Sequence, residues 1–241
     1  MSTVLWRLVG WDIQLQAREN IYAFTVLTTA GFAIFLTLLP AEAPPTIFSL
    51  VLYFDPAIVG GSFVGSIVLM ERSQNTLSAL AVSPAPAADY VLSKVITLTL
   101  LAIAGSLCLV AVAFWVPPID MVLRFTLVLV FTGAIGALGG LLIVAGANSM
   151  NHFLARAIPI TLALSLPFLS HFGIVTGVWQ WVLFAINPGH AMLRAMLWAT
   201  DPTAVTLPDI VYALTYMAIF CLVLFRWAVA VYSSELSRVE E

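Results

Sequence analysis

Lysine occurs once in these 241 residues, at Lys94, and charged residues of all kinds make up only 9% of the chain. A phosphate-binding loop of the G-x-x-x-x-G-K-[ST] type needs its lysine directly after a glycine-rich turn. Lys94 instead follows "DYVLS", with no glycine, so the chain is expected to hold no nucleotide site of its own. Histidine is equally sparse. His152, His171 and His190 stand in three separate regions, with no His/Cys/carboxylate cluster at ligand spacing, and neither a metal site nor a catalytic group is expected. The two cysteines, Cys108 and Cys221, lie deep in apolar runs and read as small buried hydrophobes without a disulfide. A net charge of −3 is too small to specify a partner, and nothing points to nucleic acid.

What the chain does have is apolar surface: 62% of residues are hydrophobic, and the mean hydropathy is +1.07. Soluble domains carry about 25% charged residues, and a bilayer core needs about 20 apolar residues per helical span. The fold class expected is all-α integral membrane. A β-barrel is excluded because the apolar residues run continuously instead of alternating. Six spans are expected, at about 21–39, 47–70, 91–116, 121–147, 157–177 and 209–231, in one transmembrane domain covering 1–241. The first twenty residues contain Arg7, Asp12, Arg18 and Glu19 and are not expected to form a cleavable signal peptide.

Arg and Lys set the orientation. With the N-terminus inside, Arg7, Arg18, Arg72, Lys94, Arg156, Arg226 and Arg238 fall on the cytoplasmic side and only Arg124 and Arg194 outside. Both termini are then cytoplasmic and the protein lies in the cell membrane. Within 1–20, Val4, Leu8, Trp11 and Leu15 share a helical face beside Arg7, Gln14 and Arg18, which suggests a helix lying in the inner interface, although Trp6 and Ile13 point elsewhere. The external segment 178–208 is too long for a turn and too apolar for a free loop. Asn187-Pro188-Gly189 breaks it, and "HAMLRAMLWA", which includes Arg194, reads as a short helix. The segment is expected to be re-entrant or interfacial, with Trp179, Trp181 and Trp198 suited to the headgroup level. Arg194 is expected to pair with a helix C-terminus or with an acid such as Asp201.

Asp55 is the one acid expected within a span, in "LYFDPAIVGG". Asp followed by Pro fits an N-cap and first helical position, which would break span two in two pieces. A direct role in a substrate pathway or in gating also remains open. Gly61 and Gly65 in span two, and Gly136 and Gly140 in span four, suit close helix approach, whether inside one protomer, at a dimer seam or along a pathway.

The connection after span two, "MERSQNTLSALAVSPAPAADYVLSK", carries punctuation at both ends of a small amphipathic helix. Glu71 and Arg72 mark the exit from the span. A helix from Thr76 to Val82 presents Leu77, Leu80 and Ala81 on one face, and Ser83-Pro84 ends it, because the residue before proline resists the helical region. Such a knob suits docking into a groove on another protein; a solvated or lipid-lying turn is the alternative.

This stretch resembles the signature of the type-2 family of ATP-binding-cassette export permeases, through Glu71, Thr76, Leu77, Leu80, Ser83, Pro84 and Lys94, with Asn75 where glycine is usual. "INPGHAMLRAML" is similar to the family's external element, through Asn187, Pro188 and Arg194, and "FDPAIVG" and "YVLSKVITL" look most like the fluoroquinolone-export branch. The resemblance implies one half of a transmembrane dimer, formed with itself or a related permease. It implies an ATPase subunit, carrying ATP and Mg, that docks on the cytoplasmic 71–90 segment through Glu71, Arg72, Thr76, Leu77, Leu80, Ser83 and Pro84. It also implies export, and the sparse-charge interior suits amphipathic or apolar cargo, drug or lipid-like. A gradient-driven carrier using Asp55 and a membrane accessory or enzyme subunit are the alternatives.

Overall fold

A computed structural model describes residues 3–40, 45–74, 76 and 85–239, apart from the side chains of 55–60, 236, 238 and 239. The regular elements among them are helical: α1 Thr3–Arg18, α2 Ile21–Leu38, α3 Pro45–Ser73, α4 Ala87–Phe114, α5 Ile119–Ala145, α6 Met150–Ser165, α7 Phe168–His171, α8 Val178–Phe184, α9 Pro188–Thr200, a 3-10 turn at Pro202–Ala204, and α10 Leu207–Val239. Five described segments are long and apolar enough to cross a bilayer: Ile21–Leu38, Ala87–Phe114, Ile119–Ala145, Met150–His171 and Leu207–Glu235. α3 itself is 29 residues long. The chain is a multi-pass helical membrane protein.

α3, α4 and α5 pack along one another as the centre of the bundle, with α2 against α4, α10 against α5, and α1 across α4. Leu52, Val64, Leu98, Leu129, Leu138 and Leu141 are wholly buried between them. Small residues let the central helices meet. A Cβ on Gly140 would come within 2.2 Å of Val64 Cγ1 and 2.5 Å of the Gly61 carbonyl oxygen, so α3 and α5 touch backbone to backbone there. Of the roles open to these glycines, Gly61 and Gly140 serve packing inside one protomer.

Several sequence expectations shift. The connection expected at 148–156 is mostly helix, because Ser149 caps α6 by accepting from the His152 amide at 3.2 Å. α6 then stops before Pro167 and the chain resumes as α7. Span two shows no backbone break at Asp55 and Pro56: α3 is helical through both, as membrane helices allow when neighbouring groups re-satisfy the freed carbonyl. The Asp55 side chain lies outside the described residues. Cys108 is exposed on the protein's outer surface and Cys221 is half-buried, both free; an apolar run that faces outward hides its residues from water without burying them in protein.

α1 differs most. Its buried face is Leu5, Val9, Asp12, Leu15 and Gln16, whereas Trp6 and Trp11 face outward and Val4 and Leu8 are only half-buried. Hydropathy alone excluded Asp12 from the inner stripe, but a buried partner draws it in. Asn20, with φ 57, then turns the chain from α1 into α2, in the left-handed region that asparagine tolerates better than most residues.

α9 is enclosed where a surface helix would show one exposed face. It packs on α3, α5 and α10, and all of its residues from Gly189 to Thr200 are buried except Arg194 and Trp198, which are half-buried. Trp179 is exposed, and Trp181 lies inside an aromatic group with His190 and Tyr212.

Candidate functional site: an ion cluster at the roots of the 71–90 segment

Glu71 closes α3 and Lys94 lies in the second turn of α4, so the two residues flank the segment singled out in the sequence. Lys94 Nζ donates to Glu71 Oε1 at 2.5 Å and also to Asp12 Oδ1. All three side chains are almost fully buried, at 1%, 3% and 2% exposure. Tyr90 Oη donates to the second Glu71 oxygen at 2.7 Å, and the Lys94 ammonium lies 5.1 Å from the centre of the Tyr90 ring. One turn along α1, Gln16 Nε2 donates to Thr97 Oγ1 of α4 at 3.0 Å. Two carboxyl groups share one ammonium in this buried cluster, held by charge-assisted hydrogen bonds.

A second ionic assembly lies one residue along. Arg72 donates to the carbonyls of Val144, Ala145 and Ala147 at 3.2, 3.0 and 2.6 Å, and through Nη2 to both oxygens of Glu235 at 2.9 and 3.0 Å. The last carbonyls of a helix have no partner within it. Arg72 therefore acts as the C-terminal cap of α5 and ties that end to α10. Tyr232 of α10 reinforces the joint, its ring tilted against Tyr90 at 5.3 Å between centroids and its hydroxyl donating to the Leu141 carbonyl at 3.2 Å. Glu71 and Arg72 thus bind the end of α3 to α1, α4, α5 and α10 at once.

The structure brings Glu71 and Lys94 together and turns Glu71 and Arg72 inward, onto the bundle. Thr76 is helical; Leu77, Leu80, Ser83 and Pro84, with Asn75, fall outside the described residues. Asp12, Tyr90, Tyr232 and Glu235 were missed from sequence. A signal existed for Asp12: it follows Leu5 and Val9 at helical spacing on a buried stripe, and an acid there requires a partner.

The external residues form a separate joint. Asn187 caps α9, accepting from the Gly189 amide at 2.9 Å, and its Nδ2 donates to the Ala163 carbonyl of α6 at 2.8 Å, while Pro188 takes the first helical position. Arg194 does not pair with Asp201. Its Nη2 donates to Gln180 Oε1 at 2.5 Å, with the guanidinium carbon 5.8 Å from the Trp181 ring centre. Asp201 is engaged by the amide and hydroxyl of Thr203, which hold its carboxyl below the usual range. Gly189 is needed for contact: a Cβ there would lie 2.1 Å from the Leu164 carbonyl oxygen. Gly189→Ala is expected to cost about 1–3 kcal/mol by forcing α9 from α6. Melting of the detergent-purified protein checks it against Gly10→Ala, where an added Cβ meets nothing within 4 Å.

Comparison with known proteins identifies the family of the chain. The family model described as fluoroquinolones export permease protein Rv2686c-like matches residues 17–225. The chain belongs to that family. Two curated relatives from Mycobacterium tuberculosis, the fluoroquinolones export permease proteins MT2761 (strain CDC 1551 / Oshkosh) and Rv2687c (strain ATCC 25618 / H37Rv), are each 22% identical to it over 226 residues, covering 92% of this chain and 91% of theirs. No solved structure matches it. The match to the Rv2686c-like export permeases takes in α2 to α9 whole, with Glu71, Lys94, Asn187 and Arg194, and leaves Asp12 of α1 and Glu235 of α10 outside.

Proposed function

We propose that the chain is the membrane half of an ATP-driven exporter that moves amphipathic molecules of the fluoroquinolone type out of the cell. Two such halves, identical or related, form the pathway, and separate ATPase subunits carry the ATP and Mg. α3 completes six spans with the five described segments, both termini are cytoplasmic, α1 lies at the inner membrane surface with Trp6 and Trp11 toward lipid, and the 178–208 segment re-enters from outside. The observation that carries the reading is the anchoring of the 71–90 segment. Glu71 and Arg72 at its start, and Tyr90 just ahead of Lys94 at its end, are joined to α1, α5 and α10 by the buried ion cluster and its neighbours. A segment gripped this way transmits a push from a docked ATPase to three other helices. On this reading Leu77 and Leu80 supply the contacts to the docked ATPase.

Purification in mild detergent tests this. A nucleotide-binding subunit with ATPase activity is expected to co-purify with the wild type and to be lost from Leu77→Asp/Leu80→Asp, the variant still eluting as a folded protein. A folded wild type without an ATPase partner, and with transport that survives ATP depletion but not Asp55→Asn, defeats the reading and makes Asp55 the coupling residue of a gradient-driven carrier.

A further inference from the structure

Pro167, Ser170 and His171 at the α6–α7 corner face His190, Leu193, Arg194 and Leu197 of α9 across one small cleft. Its charge is unbalanced. Among the described residues no acid lies within ion-pair distance of Arg194, which donates to the neutral Gln180 oxygen and lies over the Trp181 ring, and that oxygen is shared with the Ser170 hydroxyl at 2.8 Å. The acids closest in sequence are engaged elsewhere: Asp201 by Thr203, and Asp209 by the amide and hydroxyl of Thr206.

His190 supplies the second, independent observation. Its side chain is 2% exposed, it lines the cleft, and Nε2 has no hydrogen-bond partner. A buried polar nitrogen left without a hydrogen bond costs about 1–3 kcal/mol, so the pocket retains a polar group that nothing within the described protein uses. His190 also lies in the first turn of α9, where helix amides favour negative charge. Pro167, Leu193 and Leu197 supply the apolar part of the walls beside the polar Ser170 and His171, and Trp181 and Tyr212 pack against His190 at ring-centre distances of 5.3 and 6.0 Å.

We propose that this cleft binds the oxyanion of an amphipathic molecule, with Arg194 as its charge partner, His190 Nε2–H as a second donor and the apolar wall holding the adjoining body. A carboxylate on the exported molecule and the phosphate of an anionic lipid share this chemistry. The inference rests on the export reading for the first source only. Arg194 then contributes recognition, while its stacking on Trp181 holds the guanidinium in place.

The test uses the full-length protein in lipid nanodiscs and a fluoroquinolone carboxylic acid against its methyl ester, with binding followed by the drug's own fluorescence. In phosphatidylcholine discs the wild type is expected to prefer the acid by about tenfold or more, the scale of one charge-assisted contact. Arg194→Gln should erase the preference, and His190→Phe, which keeps an aromatic ring in place, should reduce it. Arg194→Lys, which keeps the charge, should retain most of it and serves if Arg194→Gln fails to fold. In phosphatidylglycerol discs, survival of the preference assigns the oxyanion to cargo, and its loss assigns it to lipid phosphate. Equal binding of acid and ester by the wild type in phosphatidylcholine, or a preference untouched in a folded Arg194→Gln protein, overturns the proposal. Co-purification of the ATPase from the same preparations tests the export reading separately, so either can fail while the other stands.

Discussion

Lys94→Met is expected to be the most damaging single substitution in the chain. It removes the one cation facing Asp12 and Glu71 and leaves two carboxylates 2% and 3% exposed with no counter-charge. Breaking a buried ion pair from one side costs about 3–5 kcal/mol, and here two pairs break together. Detergent-purified Lys94→Met should melt on the order of 10 °C below the wild type, or fail to accumulate. The neutral combination Asp12→Asn, Glu71→Gln and Lys94→Met tests what the cluster is for. It leaves no buried charge behind, so stability should largely return, as it often does when a whole ion pair is replaced. If the cluster transmits force from the 71–90 segment, the stable triple variant still binds the ATPase but no longer shows drug-stimulated hydrolysis. An unchanged melting temperature for Lys94→Met sinks the cluster as an organising element; full drug stimulation in the triple variant reduces it to scaffolding.

The reason this cluster was only half legible lies in how charge is read from a membrane sequence. Glu71 and Lys94 stood out because they bracket the unusual "SQNTLSALAVSPAP" stretch, yet both were assigned to the membrane edge, where isolated charges belong. Their mutual burial depends on Asp12, some sixty residues before Glu71, and no local pattern reports a pairing over that separation. The same pairing explains the misread face of α1. A hydropathy stripe through Val4, Leu8, Trp11 and Leu15 is self-consistent, but the helix is rotated so that Leu5, Val9 and Asp12 face inward. Tertiary electrostatics overrode a weak amphipathic signal. The long helices were legible because each contains an apolar run near the length of a bilayer core. The caps at Ser149 and Asn187 use ordinary sequence chemistry, but neither was read as a cap: "NPG" was read only as a break in the external segment, and Ser149 lies in a stretch polar enough to pass for a loop. The burial of α9 escaped for a different reason. Its composition is that of a moderately apolar helix, and only its setting among α3, α5 and α10 shows that every side is used.

The second large effect is expected in the seam between α3 and α5. Gly139 and Gly140 are neighbours on α5, but an added Cβ meets nothing within 4 Å at Gly139, and meets Val64 Cγ1 at 2.2 Å and the Gly61 carbonyl oxygen at 2.5 Å at Gly140. A methyl group on Gly139 therefore adds only helix propensity, about 0.5–1 kcal/mol in its favour. On Gly140 the same methyl presses on backbone, which cannot rotate aside, so α3 and α5 must separate along the most extensive interface of the bundle. Close helix approach is the main source of association between membrane helices, since lipid offers no hydrophobic drive to join them. Overpacking here should cost about 3 kcal/mol or more, at the upper end for added methyl groups. Gly65→Ala provides an intermediate case: its Cβ would meet the far end of the buried Phe153 ring at 2.4 Å, and a side chain can turn aside where a carbonyl cannot. The expected order of melting temperatures is Gly139→Ala at or above wild type, Gly65→Ala lower, and Gly140→Ala lowest. If Gly140→Ala melts with Gly139→Ala, the two helices do not meet at this seam. Because Glu71 and Arg72 lie in the last turn of α3, loosening that seam also frees the root of the 71–90 segment, so under the proposed exporter function Gly140→Ala should weaken coupling to the ATPase subunit while the protein is still folded.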